Sequence, residues 1–344
     1  MYSMNELIID KVIGDGACAI GFATTETLAG GPPSADLEYV LPGAKSAVCF
    51  AVPLDQSHIA PYLMKKDHLS QQKDNTGANK TASGIALDVA RFLEQKSFPS
   101  YPVAANAVYR QDTPRGVFDL IPDISLRYLA VRSGVAHMGL SGNAIRNGEG
   151  AAIILGAIVT TAELEPTDPL PKEESYCDGC RLCMASCQSG LMDPEEDDSV
   201  TLGGVEFTYA KRRGYNRCGY VCGGFTGLHP SGKWSTWSPG RFAMPETDDD
   251  FSMAVMRHMD IHQRRPAMEG ARIHILIDGK FSMTCGMCQL VCAPDKEERK
   301  NRHKMLIESG CVVQNPDGSV EALSPEEAAA RVAAMDPETR ALYE

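Results

Sequence analysis

Four cysteines constrain this chain more than any other feature: Cys177, Cys180, Cys183 and Cys187. Their spacing is C-x2-C-x2-C-x3-C, which wraps thiolates around a [4Fe–4S] cluster. Each three-residue step leaves at most about 10 Å of chain between neighbouring thiols. Cys177, Cys180 and Cys183 can therefore curl around one face of a cubane. Cys183 and Cys187 sit four apart, on one side of a turn if a helix begins there. Where two clusters lie side by side, the fourth cysteine of such a run ligates the other cluster. That rule predicts a partner run, and Cys285, Cys288 and Cys292 form one. An eighth thiol is needed, and Cys218 or Cys222 can supply it.

Two other uses of cysteine fit less well. Structural zinc takes two C-x2-C pairs, so a third cysteine at the same step is surplus. A disulfide framework needs an exported chain, and thiols this close in sequence serve it poorly. Cys18 and Cys49 lie in apolar, strand-like contexts and read as core residues.

A chain of 344 residues can bury a sizeable core, and two domains are expected. No apolar stretch is long enough to span a membrane. The N-terminus is neither basic nor followed by a signal-like segment, and it carries no twin arginine. The expectation is a cytoplasmic protein whose thiols stay reduced. The net charge of -12 makes it a poor general binder of polyanions, so no nucleic-acid partner is expected. The basic clusters at Lys211–Arg213 and Glu298–Lys304 read as solvated helix faces.

The first half alternates helix and strand patterns. Asn5–Ile13 predicts a helix stopped at Gly14, and Ala17–Ala23 a strand. Ser46–Pro53 is a compact apolar run suited to a buried strand. His68–Thr81 is polar and reads as structureless, before an amphipathic helix over Ser83–Gln95. Pro102–Tyr109 is a candidate strand, Ile124–Ser133 a helix, and Ala151–Thr161 a central strand. Gly139, Gly142, Gly148 and Gly150 crowd one loop, either as backbone close to a ligand or as a plain turn. Pro166–Pro171 is a linker into the cysteine module, and Asp193–Asp198 an acidic loop. A long insertion, 189–284, separates the cysteine runs and holds both tryptophans, Trp234 and Trp237. It reads as the wall of a cavity or as core under a loop. Pro325–Met335 predicts a surface helix.

These features together resemble the family of epoxyqueuosine reductase and the corrinoid reductive dehalogenases. The resemblance covers about residues 120 to 295. Cys285–Cys292 looks like that family's second motif, and Arg217-Cys218 like its isolated cysteine. Ala130–Gly139, the glycine loop and the strand ending at Thr161 resemble its corrinoid-side segment. The implied fold is α+β. A nitroreductase-like α/β cofactor domain (1–165) precedes a ferredoxin-like domain with two [4Fe–4S] clusters (166–300), and a tail (301–344) follows. Cys177, Cys180, Cys183 and Cys292 would hold one cluster, and Cys187, Cys218, Cys285 and Cys288 the other. Gly139, Ser141, Gly142, Asn143 and Gly148 would border cobalamin, with flavin as the alternative. Asp123 and Tyr109 are the candidate catalytic residues, although Asp123 also reads as a helix N-cap.

Three departures stand out. Gln188 replaces the proline that usually follows the first run, the family's Asp-Thr-Gly segment is missing, and so are its C-terminal tRNA-engaging repeats. Asp260-Ile261-His262 resembles the start of a corrinoid methyl-transfer motif, but Arg265 stands at its glycine position. The implied function is reduction of a small organic molecule, fed by a low-potential donor such as ferredoxin or flavodoxin. An electron-transfer protein without a substrate of its own, or a redox-sensing binding protein, is the alternative.

Overall fold

The computed structural model describes residues 2–103, 108–268 and 284–344, excepting the side chains at 252, 259, 262 and 263. His262 and the middle of the candidate strand Pro102–Tyr109 therefore lie outside the described residues. The fold is α+β. It divides into two compact units, neither continuous in sequence. The first comprises Met1–Leu54, Asp74–Cys180 and Glu195–Lys211; the second comprises Asp55–Lys73, Arg181–Pro194 and Arg212–Glu344.

In chain order the elements begin with α1 (Met4–Gly14), β1 (Ala19–Thr24), β2 (Ser46–Pro53), α2 (Ile59–Leu63) and α3 (Leu69–Gln95). Next come β3 (Ser100–Val103), α4 (Leu126–Arg132), β4 (His137–Met138), β5 (Ala144–Ile145) and β6 (Ile153–Thr160). Then follow α5 (Leu182–Ala185), β7 (Met192–Leu202), β8 (Val205–Arg212), α6 (Asn216–Cys222) and α7 (Asp248–Arg264). The last are α8 (Met287–Val291), α9 (Lys296–Ile307), β9 (Cys311–Gln314), β10 (Val320–Leu323), α10 (Pro325–Ala333) and α11 (Pro337–Arg340).

The core of the first unit is an antiparallel sheet in the order β1-β2-β6-β3. β2 and β6 are its interior strands, which explains their unbroken apolar sequence: both faces are covered. α4 packs on β1, β2 and β6, so Leu129 and Ala130 meet Ala47, Cys49, Ala157 and Val159 in one cluster.

Two expectations are corrected. The polar stretch His68–Thr81 is not structureless, because Leu69–Gln95 is one helix of 27 residues. Its buried side chains run Gln71, Gln72, Ala78, Ala82, Ile85, Ala86, Val89, Ala90 and Leu93, at helical spacing. The first half of that stripe is glutamine and alanine, so it carries no hydrophobic signal. Gly77 and Gly84 lie on its exposed face, and an added Cβ at either would meet nothing within 4 Å. Gly84→Ala is therefore expected to stabilise the chain by about 1 kcal/mol, read as a raised melting temperature.

Nor is Asp193–Asp198 a loop; it lies in β7, which pairs with β8. The two strands are joined by Gly203 (φ +56°) and Gly204 (φ +81°), a hairpin turn that glycine adopts freely. The acidic side chains stand on the solvent side, where Lys211 Nζ lies 2.6 Å from Glu196. Among the described residues no helix is long and apolar enough to cross a membrane.

Candidate functional site

Three short pieces of chain bring thiols together in the second unit. α5 carries Cys183, and Cys187 follows just beyond it; α6 carries Cys218 and Cys222 one turn apart; Cys285 and Cys288 bracket Gly286, which caps α8. α5 and α9 both pack against α8. The sulfurs of Cys218 and Cys222 are 3.6 Å apart.

Hydrogen bonds to Cys218 and Cys285, added to burial, push the Cys222 thiol well above its ordinary value. Cys285 moves the other way, to about 7, first because Cys222 hydrogen-bonds to it. The backbone N–H groups of Met287 and Gly286 and the charge of Lys65 act in the same direction, against burial. Burial raises Cys288, as do its like-charged neighbours Cys187, Cys285 and Cys218, with Arg212 opposing. Burial also raises Cys187, whose sulfur lies 3.3 Å from the Ser189 hydroxyl and within reach of the charges on Cys218 and Cys285. Thus Cys218 and Cys285 act on Cys187 and Cys288, Cys187 acts on Cys288, and Cys218 and Cys285 also act on Cys222.

So many thiols in one interior cannot all ionise without a cation between them. An all-sulfur donor set suits an iron–sulfur cluster. Among the described residues no three His, Cys, Asp or Glu side chains close on a point as a single ion requires.

The surroundings hold these thiols in place. The Arg217 guanidinium pairs with Asp248, donates to the Glu246 carbonyl at 3.0 Å and lies 4.8 Å from the Phe251 ring. That fixes the residue preceding Cys218. Tyr62 donates its O–H to the Cys285 carbonyl at 3.1 Å, and the Trp237 indole N–H donates to the Tyr62 carbonyl at 3.1 Å. Thr284, next to Cys285, donates its N–H to the Cys222 carbonyl at 3.1 Å and accepts from the Trp237 N–H at 3.0 Å. Trp234 and Trp237 are both buried, so they pack as core, and Trp237 braces the second run.

Cys177 and Cys180 end a segment of the first unit, and Cys183 falls in the second. The backbone N–H of Leu140 points to the Cys177 sulfur at 3.4 Å. Cys183 is buried, and Cys292 is half-buried at the end of α8.

The first unit holds Asp123. Ser125 caps α4 by accepting from the Tyr128 N–H, so Asp123 is not the N-cap. Asp123 is 2% exposed. Its carboxylate accepts from the Ile124 N–H at 2.8 Å and from the Tyr101 hydroxyl at 3.5 Å. Burial pushes this carboxyl above the ordinary aspartate value, with Ile124, Tyr101 and Arg110 pulling back. The Tyr109 backbone bridges to Pro122, beside Asp123, but the phenol that reaches the carboxylate belongs to Tyr101.

Gly139 and Gly142 lie in the turn of the β4–β5 hairpin, and Gly148 and Gly150 in the next turn, closed by Arg146 and Gly150. The first turn is closed by bonds from the Gly139 N–H to the Asn143 carbonyl (2.9 Å) and from the Gly142 N–H to the Gly139 carbonyl (2.8 Å). Gly142 has φ +70°, so the turn itself accounts for it. Ser141 is buried and accepts from the Asn143 N–H. At Gly139 a Cβ would crowd Ile145 at 3.1 Å, whereas at exposed Gly148 it would meet nothing within 4 Å. Among the described residues, none gives Nε2 of buried His137, in β4, a hydrogen-bond partner. A bound ligand is one thing that would satisfy it.

No family model matches the chain. A curated epoxyqueuosine reductase of Gloeobacter violaceus is 25% identical over 194 residues, which is 54% of this chain and 53% of that protein. The likeness is to the epoxyqueuosine reductases. This chain spans about half the length of that reductase. Among solved structures, a reductive dehalogenase described as suggesting a mechanism for B12-dependent dehalogenation matches with TM-score 0.50. Its identity is 13%, over 92% of this chain and 39% of the dehalogenase, and it supports the mixed α and β fold. An epoxyqueuosine reductase solved with an epoxyqueuosine-modified tRNA-Tyr stem loop matches with TM-score 0.44 and 18% identity, over 97% of this chain and 73% of that one.

Two residues escape a reading made from reductase-like motifs. Tyr101 reaches Asp123 only because β3 pairs with β6, setting Tyr101 opposite Val159; no local pattern announces that. Lys65 lies more than 200 residues before the thiol run on which its charge acts.

Proposed function

We propose that this chain is an oxidoreductase that passes electrons through two [4Fe–4S] clusters to a cobalamin, for reductive chemistry on a small organic substrate. The convergence of Cys187, Cys218, Cys285 and Cys288 in the second unit carries this reading. The other cluster, on Cys177, Cys180, Cys183 and Cys292, rests on spacing. Cobalamin is supported by the B12-dependent dehalogenase and by buried His137, whose Nε2 has no hydrogen-bond partner among the described residues and which lies beside the Gly139–Asn143 turn. Bound there, it would supply a strongly reducing metal. The chain's own part is to border it with the turn residues Gly139, Ser141, Gly142 and Asn143, and with open Gly148. Asp123 would keep a proton in a buried carboxyl, with the Tyr101 hydroxyl orienting it and Tyr109 on the adjoining backbone. A ferredoxin or flavodoxin would feed electrons in the cytoplasm, where thiols remain reduced.

The net charge of -12 favours a small substrate over tRNA. Binding of a tRNA stem loop at physiological salt would reverse that choice. The deciding experiment is anaerobic purification from cobalamin-fed cells, followed by metal analysis and a visible spectrum. Protein that holds its iron but binds no corrinoid under reducing conditions returns the electron-transfer reading to the lead, with flavin as the group to look for.

Two variants sharpen the reading. Gly148→Val should lower cobalamin occupancy while iron content and melting temperature stay whole, since the added side chain meets only open space. Gly142 is unsuited to this test, because its positive φ would strain any side chain. For the eighth ligand, Cys218→Ser should cost a cluster and Cys222→Ser should not, because Cys218 is the thiol that acts on both Cys187 and Cys288. Cluster counts by electron paramagnetic resonance that fall only in Cys222→Ser would reverse the assignment.

A further inference from the structure

Lys65 follows α2 and is 8% exposed, an unusual place for an ammonium. Its backbone is left-handed, at φ +58°, a conformation unfavourable for a non-glycine residue that persists where the surroundings over-determine it. Nζ donates to the Ser309 hydroxyl at 2.9 Å and lies 5.9 Å from the centre of the Trp237 ring. Both partners are neutral. Among the described residues no carboxylate pairs with Lys65. Burial pulls the Lys65 ammonium down to about 7, and the charges of Cys285 and Cys311 oppose that; Lys65 acts in turn on Cys285. The segment is tied to the same place a second time, by the Tyr62 hydroxyl on the Cys285 carbonyl.

Burying a cation without a counter-ion costs several kcal/mol. A [4Fe–4S] cluster with four thiolates is net negative and would be that counter-ion. We propose that Lys65 is a positioning charge for the cluster bound through Cys285, raising its reduction potential relative to the cluster of the first run. The step concerned is gain of one electron by the cluster from a low-potential donor; no bond is made or broken. A fixed positive charge stabilises the reduced, more negative state more than the oxidised one. This rests on the reading of Cys285 as a cluster ligand.

The test is a potentiometric titration of the full, anaerobically prepared chain, following each cluster by electron paramagnetic resonance, in wild type, Lys65→Met, Lys65→Gln and Lys65→Arg. In the two neutral variants one cluster should become harder to reduce while the other keeps its potential. In Lys65→Arg both should stay near wild type. Loss of one cluster in both neutral variants, with Lys65→Arg intact, would also support a role for the charge. Unchanged potentials at full iron content in Lys65→Met and Lys65→Gln overturn the proposal, as does a cluster lost equally in Lys65→Arg. A wild-type chain with no cluster on the Cys285 run fails the underlying reading instead, and iron analysis separates the two failures.

Discussion

Replacing Cys285 with alanine should remove one of two clusters, taking iron from about eight to about four atoms per chain, with sulfide in step. The loss should be nearly complete because Cys222, Lys65 and two backbone N–H groups all favour the Cys285 thiolate, against burial. Cys49→Ala is the control. Its thiol is fully buried in the first unit's core, so the variant should keep all its iron and lose about 1 kcal/mol of stability. Iron and sulfide analysis on both variants checks this; equal iron in the two would end the iron–sulfur assignment for the second run.

The second large effect is expected at Asp123. Asp123→Asn should abolish turnover while iron content and fold persist, because asparagine keeps the acceptor for the Ile124 N–H but cannot give up a proton. Stability offers a readout that does not depend on substrate. Burial raises the folded-state pKa of Asp123 above the ordinary 3.8, so between the two values the native state holds a proton that the unfolded chain has released. The resulting stability is fully present below the ordinary value and is lost as pH rises through the folded one. Asparagine removes that dependence. The variant should therefore gain on wild type at neutral pH, and the gap should close on acidification. Thermal melts across that range test it, and a gap independent of pH would mean that Asp123 is not a raised carboxyl.

How far such residues could be read from the chain depends on the range of the forces that place them. Ser46–Pro53 is legible to the residue because an interior strand covered on both faces is apolar throughout. The thiols are legible because their short spacing carries the geometry. The first turns of α3 are not, since glutamine and alanine fill the buried stripe there. The hairpin β7–β8 was visible in its paired glycines, but the acidic run obscured it; those acids stand on the solvent side and say nothing about the backbone. The contact of Tyr101 with Asp123 depends on strand register, and that of Lys65 on a distant thiol run, and neither leaves a local signature.

The bond from Tyr62 to the Cys285 carbonyl joins residues 223 positions apart. At about 5–20 residues per second, a ribosome needs roughly 10–45 s to cover that distance. Through that interval α2 and Lys65 have been made but lack the partners that bury them. Contacts of this reach also slow folding, because a long loop must close before they form. Iron delivered to the nascent chain could meet the first cysteine run well before the second exists. Cluster assembly on the Cys285 run is thus expected to be post-translational, and arrested chains ending before Thr284 should leave the Tyr62–Lys65 segment open to protease.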